Sequence, residues 1–422
     1  MKLEDILKVY RRDEKFLILN PLVPSWIVTN LNGVLIVKVF SEKKSVKKTI
    51  EEFGKNAKNI SAQSIEKFLD EVRGEGLFKI PAAPFVHKPY TLRAIYLNMT
   101  SRCNLNCIYC FATERQENNL KMNFDDYKKV LDSVKNYNPR AEIIFTGGEP
   151  LLSENTFAVA EYSKNLRFTN KLMTNATLID EKNIEKIILL FDSVKISLDG
   201  STAEKHNFYR GRGSYERTLN AIKLLEKFGA DFSLAMVVTK NNSDDISEMA
   251  KKWGGRLTFQ PLFPLGNAKD NENLYLSGKE YFDVLKSAGV VPYMDLRNMI
   301  KFHAANKTVL KCAVGDAEVS ISSSGDVYPC QLLHYEIFKI GNLKENSFDE
   351  LYNSKKMMLF KMHTTDCIEK CKDCDLKLLC GGACQARHFS ETKNIDVAGN
   401  FCEYERNGII DGLISSANLR TV

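Results

Sequence analysis

Three cysteines lie close together between a predicted strand and a predicted helix. They are Cys103, Cys107 and Cys110, at Cys-x3-Cys-x2-Cys spacing, and Phe111 follows directly. Thiolates are the usual protein ligands of iron–sulfur clusters, so three of them can bind three irons of a [4Fe–4S] cube. The fourth iron then lacks a protein ligand and can bind a small molecule. The alternatives are three buried thiols or a three-thiolate zinc site, although zinc sites usually close four ligands around Cys-x2-Cys pairs.

A second, longer cysteine array occupies the last quarter of the chain. Cys312 and Cys330 flank a predicted strand and a hairpin turn at Ser324-Gly-Asp-Val. A run with Cys-x2-Cys-x5-Cys-x3-Cys spacing comes next, and one more cysteine follows it, so the array continues with Cys371, Cys374, Cys380, Cys384 and Cys402. The alternative to iron–sulfur clusters is a pair of zinc ribbons built on the Cys-x2-Cys pair.

The number of cysteines favours metal sites over disulfides. The chain has 422 residues, 11 of which are cysteines, and it begins without the apolar segment of a signal peptide. Disulfides are rare in proteins that are not exported. Eleven thiols suffice for one open cluster with three ligands and two closed clusters with four each. We therefore expect a reducing, anaerobic setting.

The composition is that of a soluble globular protein. Charged residues make up 27% and hydrophobic residues 44% of the chain, and the net charge is +6. This charge is too small to indicate a nucleic-acid partner. No apolar run approaches the roughly 18 residues of a membrane span. We expect a cytoplasmic protein of two or three domains, without membrane or nucleic-acid partners, that is a monomer or a weak dimer.

Strands and helices alternate through the middle of the chain. Six strand–helix units predict a parallel sheet with right-handed crossovers, and chemistry in such α/β folds sits at the carboxyl ends of the strands. The predicted strands are Leu92–Asn98, Ile143–Phe145, Leu172–Thr174, Val194–Ser197, Ser233–Val238 and Leu257–Gln260.

Polar motifs follow several of these strands. After the second strand, the paired Gly147 and Gly148 allow the backbone to approach a ligand closely, and Glu149 can accept hydrogen bonds from an ammonium group. Further polar side chains that can bind hydroxyl or carboxylate groups are Asn175, Ser197, Asp199 and Arg210. The alternative for Ser197 and Asp199 is capping of the next helix. His206 is as compatible with a structural role as with ligand binding.

The cysteine loop and the strand-end motifs together resemble the radical S-adenosylmethionine (SAM) family. The resemblance implies a partial (β/α)6 TIM barrel over residues 86–269, in which SAM binds the open iron and is split into methionine and a 5′-deoxyadenosyl radical. Two positions depart from the family pattern, since Ala176 replaces a glycine and Asn207 replaces an aspartate. The SAM-binding residues implied by the resemblance are Tyr109, Gly147, Gly148, Glu149, Asn175, Ser197, Asp199 and Arg210.

The second array resembles the SPASM extension of radical SAM enzymes. The resemblance implies a domain over residues 312–402 with two auxiliary [4Fe–4S] clusters, after a helical bridge (270–311) and before a C-terminal helix (403–422). It assigns Cys312, Cys330 and Cys384 to the first auxiliary cluster. It assigns to the second Cys371, Cys374, Cys380 and Cys402. Cys367 supplies the fourth ligand of the first cluster, or that position stays open for a substrate thiolate, or Cys367 is a free structural cysteine.

Residues 1–85 form a separate unit of short strands followed by three helical patterns. The Asn-x-x-Gly start at Asn30 and the Gly-Leu-Phe ending at Gly76 resemble the PqqD-like peptide-recognition element, a winged-helix fold. The resemblance implies that a precursor's leader peptide adds as a strand to the sheet edge. A DNA-binding or purely structural winged helix is the alternative. The third helical pattern is net acidic from Gln63, which argues against DNA binding.

The combination of the three units implies an enzyme that matures a ribosomally synthesised peptide. It would install a thioether or carbon–carbon crosslink in a precursor held by its leader, the auxiliary clusters would accept the surplus electron, and flavodoxin or ferredoxin would be the electron donor. One rival is oxidation of a protein Cys or Ser, as in anaerobic sulfatase maturases. The other is a non-enzymatic regulator made of a winged helix and zinc ribbons.

Overall fold

The protein contains two β-sheets, one of three strands and one of nine. A computed structural model describes residues 3–56, 60–82, 89–112, 121–291 and 310–422. Residues 292–309 of the predicted helical bridge (270–311) therefore lie outside the described residues.

The N-terminal unit is an antiparallel three-stranded sheet followed by three helices. Two of its strands and the three helices that follow them were predicted, whereas the short helix before the strands was not. The first strand was not, because its alternation of charged and half-buried residues carries too little apolar character to stand out. The strands are β1 (Lys8–Arg12), β2 (Lys15–Asn20) and β3 (Ser25–Thr29), and the helices are α1 (Leu3–Ile6), α2 (Leu31–Lys43), α3 (Val46–Asn56) and α4 (Ala62–Gly74).

This small sheet is buried on both faces, because side chains alternate along each strand. Ile18 and Ile27 point to one face and pack against the apolar sides of α2, α3 and α4. The opposite face packs against the helix Cys402–Ser416 and the cysteine-rich region, through Leu17, Leu19, Trp26 and Val28. The N-terminal unit is therefore attached to the C-terminal part of the chain by an apolar interface.

Six parallel strands form the centre of the large sheet, and all six were predicted to within three residues at each end. The strands are β4 (Ala94–Asn98), β5 (Glu142–Thr146), β6 (Thr169–Thr174), β7 (Ser193–Ser197), β8 (Phe232–Val238) and β9 (Leu257–Pro261). They hydrogen-bond in this order. The helices that cover them are α5 (Phe124–Tyr137), α6 (Thr156–Asn165), α7 (Ile184–Leu190), α8 (Ala203–Arg210), α9 (Ser214–Lys227) and α10 (Ile246–Trp253).

The large sheet is open, and the cysteine-rich region extends it beyond β4. Strand β10 (Glu318–Ile321) pairs in parallel with β4, so that Ile321 lies beside Leu97. Strands β11 (Asp326–Tyr328) and β12 (Gly341–Asn342) follow in antiparallel pairing. The sequence predicted a sheet of six units, and the structure adds three strands from a segment that was assigned to another domain. The pairing was not predicted because β4 lies more than 200 positions before β10.

The remaining elements are short helices and turns around the cysteines. Of the predicted bridge, the described part contains α11 (Gly278–Ser287). The predicted C-terminal helix begins one residue earlier than expected, at Cys402, and ends at Ser416. The other helices of this region are Phe348–Tyr352, Lys355–Lys361, Lys377–Cys380 and Gln385–Thr392. Within the described residues no helix combines the length and apolar character needed to cross a membrane.

The interface between the N-terminal sheet and the helix Cys402–Ser416 can be tested at Leu413, which is 0% exposed. We expect Leu413→Ala to lower the free energy of unfolding by about 2–5 kcal/mol, because it removes buried methyl groups and leaves a cavity. Leu359 is 73% exposed, and Leu359→Ala is the matched control, with an expected change of about 0.5 kcal/mol or less. Equal effects of the two substitutions in urea unfolding would contradict this interface.

Candidate active site

The first cysteine loop follows β4 and is fastened to the segment after β9. The backbone N–H of Asn267 donates to the carbonyl of Cys110 at 2.9 Å, and its side-chain amide donates to the carbonyl of Cys107 at 3.1 Å. Gly266 has a φ of +55°, and a Cβ there would lie 2.2 Å from the Cys110 carbonyl oxygen. The loop after the last parallel strand therefore borders the cysteine loop.

The three thiols of this loop lie close enough to influence one another. Burial raises the pKa of Cys107 to about 11, the Arg210 charge opposes that rise, and the thiols of Cys110 and Cys103 add to it. Neighbouring thiols resist deprotonation, because each thiolate charge disfavours the next one. A bound cationic group offsets this repulsion and stabilises the thiolates. The donor set thus fits an iron–sulfur cluster.

Glu149 is a buried carboxylate directly beside this loop, and it is 0% exposed. Its Oε1 accepts from the Thr174 hydroxyl at 2.7 Å and from the N–H of Leu151 at 3.3 Å, and its Oε2 accepts from the N–H of Asn175 at 3.0 Å. Burial raises the pKa of Glu149. A carboxylate offers about four acceptor positions, so the described residues leave one on Oε2, which fits an ammonium group.

The paired glycines allow a close approach within the chain itself. A Cβ on Gly147, whose φ is +129°, would lie 2.4 Å from the carbonyl oxygen of Thr100. A Cβ on Gly148 would lie 2.1 Å from the carbonyl oxygen of Arg102. The space that a side chain would need is therefore filled by the backbone leading into the cysteine loop. The two glycines bring the end of β5 against that loop, which places Glu149 beside it.

Asn175 links the end of β6 to the cysteine loop. Its Nδ2 donates to Asn104 Oδ1 at 3.0 Å and lies 3.8 Å from the Sγ of Cys103. The next residue, Ala176, has a φ of +61°. This left-handed conformation costs a residue with a Cβ roughly 1 kcal/mol or more, which explains why glycine is the usual residue in the family motif. The departure at Ala176 therefore keeps the turn at an energetic cost.

The most tightly connected group in the site is centred on Asp199. Its Oδ2 accepts from Arg210 Nε and from the hydroxyl of Tyr109, and its Oδ1 accepts from the N–H of Val237 at 2.9 Å. Arg210 Nη2 donates to the Tyr109 hydroxyl at 2.8 Å, and Nη1 lies 4.0 Å from the Sγ of Cys107. Three predicted SAM-binding residues therefore contact one another. Ser197 is half-buried at the end of the neighbouring strand.

His206 has a structural position. Its Nδ1 accepts from the backbone N–H of Asp199 at 3.2 Å. Burial and, to a smaller extent, the charge of Arg210 lower its pKa to about 4. The imidazole is therefore neutral near pH 7 and holds the turn that carries Asp199, which agrees with the structural alternative.

Two further residues hold the site and were not singled out from the sequence. Asn242 is fully buried, and its Nδ2 donates to the carbonyls of Asp199 and Val237, each at 3.0 Å. Thr174 holds Glu149, as described above. The signal available in the sequence was their position at or shortly after the end of a strand, where many residues without a function also lie.

Several thiols of the second array lie close enough to influence one another. Burial raises the pKa of Cys330 well above its usual range, and the nearby thiols of Cys384 and Cys312 raise it further. Burial, and to a smaller extent the thiols of Cys402 and Cys374, raise the pKa of Cys371 to about 11. Burial also raises the pKa of Cys380, and the thiol of Cys371 contributes to that rise. The assignment of these cysteines to two clusters stays a prediction.

Cys367 is exposed. In the parts of the chain that the structure describes, no three side chains of His, Cys, Asp or Glu are placed to share a single metal ion. A cubic cluster takes its thiolates at different irons, so its ligands stand farther apart than those of one zinc ion.

Comparison with known families identifies the central part of the chain. The sequence model of the Radical SAM superfamily matches residues 97–252, from β4 to the last helix of the sheet. The uncharacterised protein MJ0907 of Methanocaldococcus jannaschii is 31% identical over 265 residues, which are 61% of this chain and 90% of that protein. The chain belongs to the radical SAM superfamily. The model of SPASM, an iron–sulfur cluster-binding domain, matches residues 312–375 of this radical SAM protein.

Relatives of this radical SAM protein are named for diverse activities. An AdoMet-dependent heme synthase from Methanosarcina barkeri is 26% identical, covering 74% of this chain and 96% of the relative. A cysteine-type anaerobic sulfatase-maturating enzyme from Clostridium perfringens is 28% identical, with coverages of 72% and 91%. The antilisterial bacteriocin subtilosin biosynthesis protein AlbA from Bacillus subtilis is 27% identical, with coverages of 77% and 74%.

Two solved radical SAM structures share the fold. Native anSMEcpe with bound AdoMet superimposes with a TM-score of 0.62 at 24% identity, covering 77% of this chain and 97% of that one. Streptococcus suis SuiB bound to S-adenosylmethionine superimposes with a TM-score of 0.59 at 15% identity, covering 94% of this chain and 98% of that one. Because the second match covers 94% of this chain, it includes at least part of the N-terminal unit.

The buried pair of Asp199 and Arg210 can be tested against an exposed pair. Their side chains are 0% and 9% exposed, whereas those of Asp283 and Lys279 are 58% and 67% exposed. We expect Asp199→Asn to destabilise the protein by about 3–5 kcal/mol, because it leaves a buried guanidinium without its countercharge.

The control, Asp283→Asn, should change stability by less than about 1 kcal/mol. Urea unfolding of both variants beside the parent measures the two effects. Similar small effects of both substitutions would show that the Asp199 network does not hold the site together.

Proposed function

We propose that this radical SAM/SPASM protein installs an oxidative crosslink, a thioether or a carbon–carbon bond, in a ribosomally synthesised precursor peptide. The observation that carries the proposal is the N-terminal unit, whose sheet packs directly on the cysteine-rich region. Tyr10 on β1 donates to Asp375, the residue after Cys374, and Arg406 binds the same carboxylate at 2.8 Å. A peptide held by this unit stays close to the second cysteine array.

The residues around the first cysteine loop have a division of labour in this proposal. Cys103, Cys107 and Cys110 hold a [4Fe–4S] cluster, which together with bound SAM supplies a 5′-deoxyadenosyl radical. Glu149 accepts a hydrogen bond from the SAM ammonium group through its open position on Oε2. Contacts from the remaining proposed residues complete the SAM site: Tyr109, Gly147, Gly148, Asn175, Ser197, Asp199 and Arg210.

In the proposed site, the guanidinium of Arg210 is held by protein side chains on one side and contacts SAM on the other. Its Nε and Nη2 are held by Asp199 and Tyr109, which leaves Nη1 directed toward Cys107. A guanidinium held in one orientation can bind a carboxylate without losing further side-chain entropy. We assign Nη1 to the SAM carboxylate, and Asp199 to the orientation of Arg210.

Crosslinking is a two-electron oxidation of the peptide, so an electron acceptor is required. The peptide loses one hydrogen atom from a carbon, and then one proton and one electron from a thiol or a second C–H group as the new bond forms. Two auxiliary clusters held by the second array would supply this acceptor. Cys312, Cys330 and Cys384 would hold the first, and the second would be held by Cys371, Cys374, Cys380 and Cys402. Cys367 remains either the fourth ligand of the first cluster, a neighbour of a position left open for a substrate thiolate, or a free structural cysteine. Flavodoxin or ferredoxin supplies the electron that starts the reaction.

Peptide recognition by the N-terminal unit is supported by its architecture. It presents a three-stranded sheet whose last strand, β3, lies at the edge and is followed by three helices. Strand addition to a sheet edge is a general mode of peptide recognition. SuiB, whose fold match extends into this unit, has also been solved bound to its precursor peptide SuiA. We assign the unit to a PqqD-like leader-recognition function.

A second candidate is oxidation of a protein Cys or Ser, as the similarity to the sulfatase-maturating enzyme suggests. That match covers 91% of the relative and only 72% of this chain. The matched region therefore extends little beyond the parts of this chain that carry the two cysteine arrays. Under this candidate the N-terminal unit would contribute nothing to substrate binding.

Iron analysis tests the three-cluster arrangement. After anaerobic reconstitution we expect about twelve irons per chain, since each [4Fe–4S] cluster contains four. The triple variant Cys103→Ala/Cys107→Ala/Cys110→Ala should keep about eight irons and lose SAM cleavage. A parent protein with about four irons or fewer, or with zinc in their place, would rule out the arrangement.

Deletion of residues 1–85 separates the two candidate functions. With dithionite and SAM, the full chain should form 5′-deoxyadenosine, and the peptide encoded beside its gene should lose about two mass units per crosslink, as two hydrogens leave. The deleted protein should keep its iron and its slow SAM cleavage without peptide, yet no longer modify the precursor. Undiminished modification by the deleted protein, assessed by mass spectrometry, would favour the maturase-like candidate.

A further inference from the structure

The edge of strand β3 already carries an extended segment of the same chain. This tail segment, residues 417–422, follows the helix Cys402–Ser416. The N–H of Arg420 donates to the carbonyl of Val28 at 2.9 Å, and the hydroxyl of Thr29 donates to the carbonyl of Arg420 at 2.6 Å. Thr29 and Arg420 pair in parallel, as neighbouring strands do. The tail segment thus begins a fourth strand of the N-terminal sheet.

Charged groups hold the tail segment from the other side. The guanidinium of Arg420 contacts Glu71 at 2.6 Å and also contacts Glu75; both glutamates are at the end of α4. Two carboxylates one helical turn apart therefore bind one arginine. The tail segment lies in the groove between β3 and α4, with its backbone on the strand and its basic side chain on the helix.

An apolar contact completes the match. Val422 is half-buried against the core formed by Ile18, Ile27 and the helices of the N-terminal unit. Leu419, by contrast, is 44% exposed. Alternate side chains of an extended segment point in opposite directions, so Arg420 and Val422 face the groove while Leu419 faces away from it.

Gly33 leaves the space that the Thr29 hydroxyl occupies in the groove. A Cβ on Gly33 of α2 would lie 1.9 Å from the Oγ1 of Thr29. The absence of that side chain gives the hydroxyl the room from which it donates to the tail segment. Edge strands are usually covered or blocked, because their free backbone groups can pair with another strand.

We propose that the tail segment is an internal occupant of the peptide-binding groove, and that a substrate peptide must displace it. One carbonyl, that of Val28, cannot direct the same hydrogen bond to two strands at once. The incoming peptide should carry a basic residue at the position of Arg420 and an apolar residue two positions later. This inference rests on the proposed peptide-recognition function and specifies the peptide's chemistry.

Tethering makes the tail segment a strong competitor. A short flexible connection gives an effective concentration in the millimolar range. A free peptide with the tail's own sequence is therefore excluded from the groove unless it is present at a comparable concentration. The leader of a true substrate must bind more tightly than the tail sequence does.

The test uses a fluorescein-labelled peptide of residues 415–422, Ser-Ser-Ala-Asn-Leu-Arg-Thr-Val, and fluorescence anisotropy. We expect a chain ending at Ser416 to bind this probe at least tenfold more tightly than the full chain does. Full-length Arg420→Glu should also bind it at least tenfold more tightly, because Glu71 and Glu75 repel the new carboxylate and the tail segment leaves the groove. This point variant keeps the test valid if the shortened chain is poorly folded.

Matched controls separate groove binding from nonspecific effects. Leu419→Ala changes an exposed residue of the tail segment and should bind the probe as weakly as the parent. In the shortened chain, Glu71→Gln/Glu75→Gln should weaken probe binding at least tenfold, whereas Glu66→Gln, an exposed glutamate on the same helix, should not. A probe with glutamate in place of its arginine should not bind.

The proposal would be overturned if the full chain, the shortened chain and Arg420→Glu all bound the probe with equal affinity. It would also be overturned if none of the three bound it. Both are independent of SAM chemistry. If the tail segment proves to occupy the groove but the deletion of residues 1–85 leaves precursor modification intact, only the leader-recognition function fails. If the encoded precursor displaces the probe from the shortened chain, both hold.

Discussion

One buried carboxylate, that of Asp199, connects the elements from which the candidate active site is built. It accepts hydrogen bonds from the cysteine loop through Tyr109, from α8 through Arg210, and from β8 through the backbone of Val237. A buried charge without partners would cost several kcal/mol, so these elements must assemble together. The position of Cys107, which lies beside the same guanidinium, therefore depends on a contact formed over 90 residues further along the chain.

The N-terminal unit and the cluster-bearing parts form a second connected system. One face of the small sheet packs on its own helices, and the other packs on Leu376, Leu379 and the helix Cys402–Ser416. Asp375 is adjacent to Cys374 and binds both Tyr10 and Arg406. The part of the molecule that we assign to peptide recognition is thus physically continuous with the loop that we assign to an auxiliary cluster. A peptide bound at one could reach the other without a rearrangement of domains.

Local patterns in the sequence predicted what depends on local physics. The six central strands follow from apolar runs between turn residues, and the first cysteine set follows from a spacing that fits within a single loop. Long-range pairings left no such pattern: β10 pairs with β4 across more than 200 residues, and Arg420 pairs with Thr29 across almost the whole chain. The role of Gly147 and Gly148 was predicted only in part, because glycine signals a close approach and not the identity of what approaches. β1 was missed because its side chains are mostly polar.

The pairing of β10 with β4 has a further consequence for the distance between the two cysteine arrays. Strand β4 leads into the first array, and the hairpin of β10 and β11 leads to Cys330. The same pair of hydrogen-bonded strands therefore positions both the first cysteine loop and Cys330. A shift of register by one residue would turn every side chain of β10 to the wrong face. The pairing of β10 with β4 therefore sets the separation between the end of β4 and the hairpin that leads to Cys330. If clusters are bound at both arrays, as we propose, a change in this pairing would alter the distance that an electron has to travel between them.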